Sequence, residues 1–408
     1  MKPMTKLSHN ENKNSKNIII GISGGIAAYK IPLLVRLLTK QGHKVKIIIT
    51  NAAKDLVGIS ALQTLSGNPV YTDIAGEYFD MGHIRLEEWA DLFVLAPATA
   101  NSIAKMAQGI ADNLLSTTFL SLTCPKIVVP AMNTAMWENP ATVANVKLLK
   151  ERGIVVLPVG IGELACGQIG DGRMIEPSDI AEYLPLVSEN KNLLGKLAGK
   201  RVLISSGPTS EKIDEVRSIT NSSSGKMGAA LARAAIFAGA QVTVVSGEAK
   251  EKLPEGLQKL IKVESALQMR EAMLSELPNA DIVIMAAAVS DFRVENVLEG
   301  KVSRENNEKL TLNLVKNPDI AKEIGEKKRA EQKLIVFSLE TDGNIERATE
   351  KMKRKNADLC VLNTAENAIG REKSKITIIN GGGSAVAFDE QEKIISAGKI
   401  IENCGDIL

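Results

Sequence analysis

The chain has 408 residues, 44% hydrophobic and 24% charged, which implies more than one soluble globular domain. A net charge of +2 and 3% aromatic content exclude both a basic nucleic-acid footprint and aromatic stacking platforms for single strands. Four scattered cysteines (Cys124, Cys166, Cys360, Cys404) with no CxxC pair argue against a disulfide scaffold or structural zinc and suit a reducing cytoplasm.

Residues 1–16 are polar and Lys/Asn-rich without an apolar core, and read as a disordered lead-in. No apolar run is long enough to span a membrane. Apolar runs at 17–23, 44–50, 91–96, 126–129 and 154–157 alternate with helical segments. A polar stretch at 188–200 reads as a linker, after which charge becomes denser and the layout restarts. Runs at 200–206, 241–246, 281–285, 333–338, 358–362 and 375–379 again alternate with helices, the first from about 225 to 238. Continuous β-branched runs between helices predict an α/β protein of two domains, 17–190 and 191–408, each a doubly wound, mostly parallel sheet. Ligands of such sheets lie beyond the C-terminal strand ends.

The first run leads into Gly21-Ile-Ser-Gly-Gly-Ile-Ala-Ala-Tyr-Lys30. Ser23, Gly24 and Gly25 let backbone and a hydroxyl approach an anion at a helix start. The spacing is not GxGxxG, and the second strand ends in Thr50-Asn51 with no acid for a ribose, which favours a mononucleotide such as a flavin over NAD. A bare strand–helix turn would use the same residues. Pro97-Ala-Thr-Ala-Asn-Ser-Ile-Ala-Lys105 offers helix caps or short donors to a flat ring. In Pro130-Ala-Met-Asn-Thr-Ala-Met-Trp137, Asn133 could hold a carboxylate or simply make a turn. His83 precedes an acidic stretch that could orient it. Cys166 sits in Gly160-Ile-Gly-Glu-Leu-Ala-Cys-Gly-Gln-Ile-Gly-Asp-Gly-Arg-Met174, whose five glycines predict a mobile loop carrying an accessible thiol.

Together these four motifs resemble the homo-oligomeric flavin-containing cysteine decarboxylases, more narrowly the phosphopantothenoylcysteine decarboxylase domain of bacterial bifunctional coenzyme A biosynthesis proteins, over nearly all of 17–185. The resemblance implies FMN contacts at Ser23, Gly24, Gly25, Thr50, Thr99, Ala100, Asn101, Ser102 and Ala131. It implies a catalytic His83, a substrate-carboxylate contact at Asn133 and a proton-donating Cys166. It also implies the chemistry: FMN oxidises the substrate thiol, carbon dioxide leaves with the carbanion delocalised onto sulfur, and the product is reduced and protonated.

In the second half, Ser205-Ser-Gly-Pro-Thr-Ser-Glu-Lys-Ile-Asp-Glu-Val-Arg-Ser-Ile-Thr-Asn-Ser-Ser-Ser-Gly-Lys-Met-Gly228 is a hydroxyl-rich anion cradle that fails the P-loop spacing. Ala286-Ala-Ala-Val-Ser-Asp-Phe-Arg293, Lys301, Asn317-Pro-Asp-Ile320, Phe337-Ser-Leu-Glu-Thr-Asp342 and Lys355-Asn-Ala-Asp-Leu-Cys-Val-Leu-Asn363 sit at or near element ends. This set resembles the phosphopantothenate–cysteine ligase domain of the same bifunctional family over about 191–404. It implies CTP contacts at Asp291, Lys301, Asn317, Pro318, Asp319, Ile320, Phe337, Lys351 and Lys355. It also implies catalytic Arg217, Asn221 and Lys301, with Mg2+ accompanying the triphosphate on ligands the sequence does not identify. The substrates implied are CTP, 4'-phosphopantothenate and cysteine, joined through an acyl-cytidylate. Trimeric decarboxylase and dimeric ligase contacts are implied as well, giving a homo-oligomeric dodecamer in the cytoplasm. Ser290 and Ser338-Leu339, where the resembling family frequently has alanine, and Cys360 are the departures from its pattern. Competing expectations are an NAD-dependent oxidoreductase, weakened by the missing fingerprint, and a non-catalytic nucleotide sensor, which would need neither His83 nor Cys166.

Overall fold

The computed structural model describes residues 15–72, 82–163, 167, 169–190, 192–301, 309–340, 343–364 and 371–408, and excludes the side chains of 82–85, 163 and 364. Cys166 lies outside the described residues, and only the backbone of His83 lies within them. The chain divides into two compact units, 1–184 and 185–408. No helix among the described residues is long and apolar enough to cross a membrane.

The first unit runs β1 (Asn17–Ile22), α1 (Ile31–Lys40), β2 (Lys44–Ile49), α2 (Ile59–Ser66), β3 (Val70–Tyr71), α3 (Gly82–Trp89), β4 (Leu92–Ala98), α4 (Ala100–Gln108) and α5 (Leu114–Ser121). It continues with β5 (Lys126–Pro130), α6 (Thr134–Trp137), α7 (Pro140–Glu151), β6 (Val155–Val156), β7 (Gly160–Glu163) and β8 (Ile169–Arg173), and α8 (Pro177–Glu189) runs across the division between the units. Strands β1 to β6 form one parallel sheet in the order β3-β2-β1-β4-β5-β6. The sheet core is fully buried: Ile18, Ile19, Ile20, Ile47, Phe93, Val94 and Val128 are each 0% exposed. That is why these strands read as unbroken apolar runs rather than alternating ones. Strand order reverses between β1 and β4, which fixes the crevice at their C-terminal ends.

The second unit runs β9 (Arg201–Ser206), β10 (Ser210–Lys212), β11 (Ser218–Thr220), α9 (Lys226–Phe237), β12 (Gln241–Ser246), β13 (Lys259–Lys262), α10 (Ala266–Glu276), β14 (Ile282–Met285), β15 (Phe292–Val294) and β16 (Leu314–Lys316). It continues with α11 (Ile320–Lys327), β17 (Lys333–Glu340), α12 (Ile345–Arg354), β18 (Leu359–Thr364), β19 (Lys373–Ser374), β20 (Ile376–Asn380), β21 (Ala385–Ala387), β22 (Gln391–Glu392) and α13 (Lys393–Asp406). Its main sheet is ordered β13-β12-β9-β14-β17-β18-β20-β21. The first six strands are parallel, and β20 and β21 are added antiparallel. The apolar run at 375–379 is therefore an antiparallel strand. It pairs antiparallel with β18 on one side and, on the other, with β21, which follows after a tight turn in which Gly383 takes φ +83°.

Two further features depart from the sequence expectations. The glycine-rich stretch expected to be a mobile loop is an antiparallel hairpin, β7–β8, in its described part. It is pinned by a distant segment: Met132 N–H donates to Gly172 O at 2.9 Å, and the Thr134 hydroxyl donates to Asp171 O at 2.8 Å. The long hydroxyl-rich segment after β9 contains the antiparallel pair β10–β11.

Candidate functional site

A cavity of about 1200 Å3 opens at the reversal of strand order in the first unit. Its walls are the segments that follow β1, β2, β4 and β5, closed by the end of β8. Gly24, Gly25, Thr50, Thr99, Asn101, Ser102, Ala131 and Asn133 line it together. Ser23 and Ala100 lie beside it rather than in its wall. Ser23 is 1% exposed, and its hydroxyl donates to Pro97 O at 2.7 Å and accepts from Thr99 N–H at 3.1 Å. It ties the β1 and β4 turns together. Thr99 caps α4 by accepting from Ser102 N–H at 3.3 Å, and Thr99, Asn101 and Ser102 of that helix start line the cavity.

Glycine at position 24 is dictated by packing: an added Cβ would lie 2.5 Å from Ala52 Cβ and 3.0 Å from Ala52 backbone. Asn133 caps α6 through Oδ1, which accepts from Met136 N–H at 2.8 Å. That commits the carbonyl and leaves the amide NH2 as the group a carboxylate would meet. Flavin fits this donor set: hydroxyls and a capped helix start for phosphate, bare glycine backbone beside it, and a cavity large enough for a three-ring cofactor.

Sequence reasoning left out Tyr29, Lys30, Lys105, Asp112, Met136 and Arg173, which also line the cavity. Lys30 pairs with Glu176 at 2.8 Å, and Lys105 with Asp112 at 2.5 Å. Arg173 also bonds Glu176. Burial works to raise the Glu176 carboxyl, but Lys30 and Arg173 outweigh it and hold it below the ordinary glutamate value. The Lys105 hydrogen bond likewise lowers Asp112. Tyr29, Lys30, Lys105, Met136 and Arg173 all stand inside the recognised motifs. The readable signal for Asp112 was the capping pattern at Asn113 and Ser116, which starts α5 beside it.

In the second unit the segments after β9 and β14 run together. Thr209 N–H donates to Ala288 O at 3.3 Å, Ser290 N–H to Thr209 Oγ1 at 3.0 Å, and Ala287 N–H to Ser205 Oγ at 3.2 Å. Asn221 Nδ2 donates to Ala288 O at 3.0 Å. Asn317 Nδ2 donates to Ser290 O at 2.8 Å, and its N–H donates to Asp291 O at 2.8 Å. Asn221, Asp291 and Asn317 are thus drawn to one place. Asp319 caps α11 through Lys322 N–H at 3.1 Å and pairs with Lys355 at 3.2 Å. Ile320 is 3% exposed in the core, so only its backbone can meet a ligand. Phe337 is half-buried, and Pro318 adjoins Asp319. Lys351 pairs with Glu340 at 2.5 Å. Arg217 stands in the turn between β10 and β11, 3.6 Å from Asp214. Lys301 is exposed. Among the described residues, no three His, Cys, Asp or Glu side chains converge on a metal position.

The chain matches two protein families. Residues 6–186 match the family described as flavoprotein, and residues 197–407 match the DNA/pantothenate metabolism flavoprotein C-terminal domain. It is 43% identical over 352 residues to the coenzyme A biosynthesis bifunctional protein CoaBC of Bacillus subtilis, covering 86% of each chain. It is 36% identical over 406 residues to the protein of that name from Mycolicibacterium smegmatis, covering 96% of this chain and 98% of that one. A crystal structure of the C-terminal domain of a coenzyme A biosynthesis bifunctional protein CoaBC aligns with TM-score 0.45 at 36% identity, over 52% of this chain and 97% of that one. The chain therefore belongs to the bifunctional coenzyme A biosynthesis proteins, enzymes that join a flavoprotein phosphopantothenoylcysteine decarboxylase to a phosphopantothenate–cysteine ligase.

Proposed function

We propose that residues 191–408 ligate cysteine to 4'-phosphopantothenate with CTP through an acyl-cytidylate, and that residues 17–190 decarboxylate the product to 4'-phosphopantetheine with FMN. The observation that carries the decarboxylase reading is the cavity at the reversal between β1 and β4, where glycine backbone, a capped helix start and Asn133 meet. FMN held here would supply a reversible two-electron acceptor for oxidation of the substrate thiol and the later reduction of the decarboxylated product. Gly24, Gly25, Thr50, Thr99, Asn101, Ser102 and Ala131 hold it, with Ser23 and Ala100 shaping the turns. The Asn133 amide donates to the substrate carboxylate, His83 serves as acid or base at the thiol, and Cys166 returns the final proton.

In the ligase, Asn221 serves turnover of the acyl-cytidylate, with Arg217 and Lys301 supplying positive charge. Asp291, Lys301, Asn317, Pro318, Asp319, Ile320, Phe337, Lys351 and Lys355 form the CTP site. Mg2+ would accompany the triphosphate and supply charge neutralisation there. Ile26 at 58% and Tyr29 at 62% exposure offer apolar area for contact between copies, in keeping with the proposed homo-oligomeric dodecamer.

The test is optical. The purified chain should carry a flavin absorption band near stoichiometry. Gly24→Val should remove the band, because the new side chain must displace Ala52 backbone, while ligation remains within about twofold. A colourless, folded wild-type chain, or a Gly24→Val variant with full flavin, would contradict this assignment.

A further inference from the structure

Glu340 ends β17 at the ligand edge of the second sheet and is 5% exposed. A buried carboxylate needs compensation, and this one has three partners. Lys351 Nζ donates to it at 2.5 Å, Ser338 Oγ at 2.9 Å and Arg347 Nη1 at 3.3 Å. The Lys351 bond, aided by Ser338 and Arg347 against the cost of burial, holds the carboxyl below the ordinary glutamate value. Ser338 stands two residues back on the same strand face. Its hydroxyl therefore adds a fastening that alanine cannot make.

The pair has a consequence for what Lys351 can recognise. An ammonium neutralised by a buried carboxylate is a poor counter-charge for phosphate. It keeps two further N–H donors in a fixed direction, which suit a neutral acceptor. The position agrees. The glycine- and hydroxyl-rich turn suited to phosphate follows β9, and β17 lies two strands away across β14, about 10 Å by the usual strand spacing. That separation is comparable with the reach from phosphate to base in a nucleotide. Lys355, the neighbouring lysine of the same site, is likewise paired, with Asp319.

We infer that Glu340 is a positioning residue for nucleotide selection: with Ser338 it neutralises and aims Lys351, so that Lys351 donates to a neutral acceptor of the pyrimidine nucleoside rather than to the triphosphate. The inference rests on the proposed reading that Lys351 contacts the nucleotide.

The test uses the full-length protein, with ligation followed by pyrophosphate release as CTP is varied and CMP added as competitive inhibitor. Glu340→Gln should raise KM for CTP and Ki for CMP in parallel, each about tenfold, with kcat within about threefold. Lys351→Met should do the same, and the double variant should be no worse than the weaker-binding single variant. An unchanged KM in Glu340→Gln while Lys351→Met weakens CTP would overturn the positioning role and leave the nucleotide site standing. A lowered KM would overturn it too, because it would mean that an unmasked Lys351 attracts phosphate. If Lys351→Met changes neither constant, the nucleotide reading of Lys351 fails and the inference with it. Should Glu340→Gln fail to fold, Ser338→Ala decides: a parallel rise of about twofold to threefold in both constants supports the role, and an unchanged Ki for CMP refutes it.

Discussion

Serine in place of Cys166 should lower steady-state formation of the reduced, decarboxylated product by about two to four orders of magnitude, the usual range for loss of a positioned general acid. A serine hydroxyl has nearly the shape of the thiol but gives up its proton far less readily, so binding should survive while the last protonation stalls. The variant should accumulate an oxidised, decarboxylated species that leaves only slowly, with KM for phosphopantothenoylcysteine little changed. Ligation of cysteine to 4'-phosphopantothenate should remain within twofold, since Cys166 belongs to the first unit and the ligase residues to the second. Single-turnover spectra of the flavin, with carbon dioxide release measured separately, distinguish the steps. Steady-state formation of the reduced, protonated product above a tenth of the wild-type rate would remove Cys166 from the proton-donor role.

The second large effect concerns Gly228. This residue lies in the first turn of α9, where an added Cβ would sit inside contact distance of Ser206 Oγ, 2.6 Å from Ser206 Cβ and 3.2 Å from Ser206 Cα. Ser206 is fully buried at the end of β9 and has little room to yield. Two effects compete on substitution. Alanine is a better helix former than glycine by about 1 kcal/mol. Overpacking against a rigid strand costs about 1–3 kcal/mol, more when backbone must shift. With Val the clash wins: α9 must lift from β9 and carry the Ser224-Gly225-Lys226 turn away from the strand end. Gly228→Val should therefore cost the second unit about 2 kcal/mol, a melting shift of roughly 5 °C for a unit of this size. It should also reduce ligation at least a hundredfold, because a 1 Å misplacement of a phosphate cradle is that costly. Decarboxylation of supplied phosphopantothenoylcysteine should persist. Restoring the space with Ser206→Gly in a Gly228→Ala background should recover most of the ligase rate. A Gly228→Val chain with normal ligation would show that close packing of α9 on β9 is not needed.

How far these positions could be read from the sequence follows from how local their causes are. Strands such as β1, β4, β9 and β14 were legible because burial on both faces selects unbroken runs, as in Ile18–Ile19–Ile20, and such runs need no partner to be recognised. The cavity's glycines and caps were legible for the same reason: Thr99 caps α4 with Ser102 three residues on. The β7–β8 hairpin was not, since nothing in its glycine-rich sequence alternates. Its geometry comes from Met132 and Thr134, some forty residues away. Gly172 there takes φ +125° with Met132 O against it, a requirement visible only once the two segments meet. Glu340 is a similar case. It stood in a motif already noted at a strand end, yet its role depends on Lys351 reaching back from α12, and helix-to-strand approach is set by the packed sheet. The same holds for Lys30, whose partner Glu176 lies far along the chain. The antiparallel direction of β20 also escaped, because a buried β-branched strand reads alike in either direction.

The account's central claim is that one chain carries two complete and successive reactions. The most direct measurement supplies the purified protein with 4'-phosphopantothenate, cysteine, CTP and Mg2+, and follows pyrophosphate and carbon dioxide together with the flavin spectrum. The account predicts a yellow protein that releases the two products in equal amounts, with carbon dioxide lagging pyrophosphate and 4'-phosphopantetheine as the end product. Pyrophosphate without carbon dioxide from flavin-loaded protein, or carbon dioxide formed without nucleotide turnover, would contradict it.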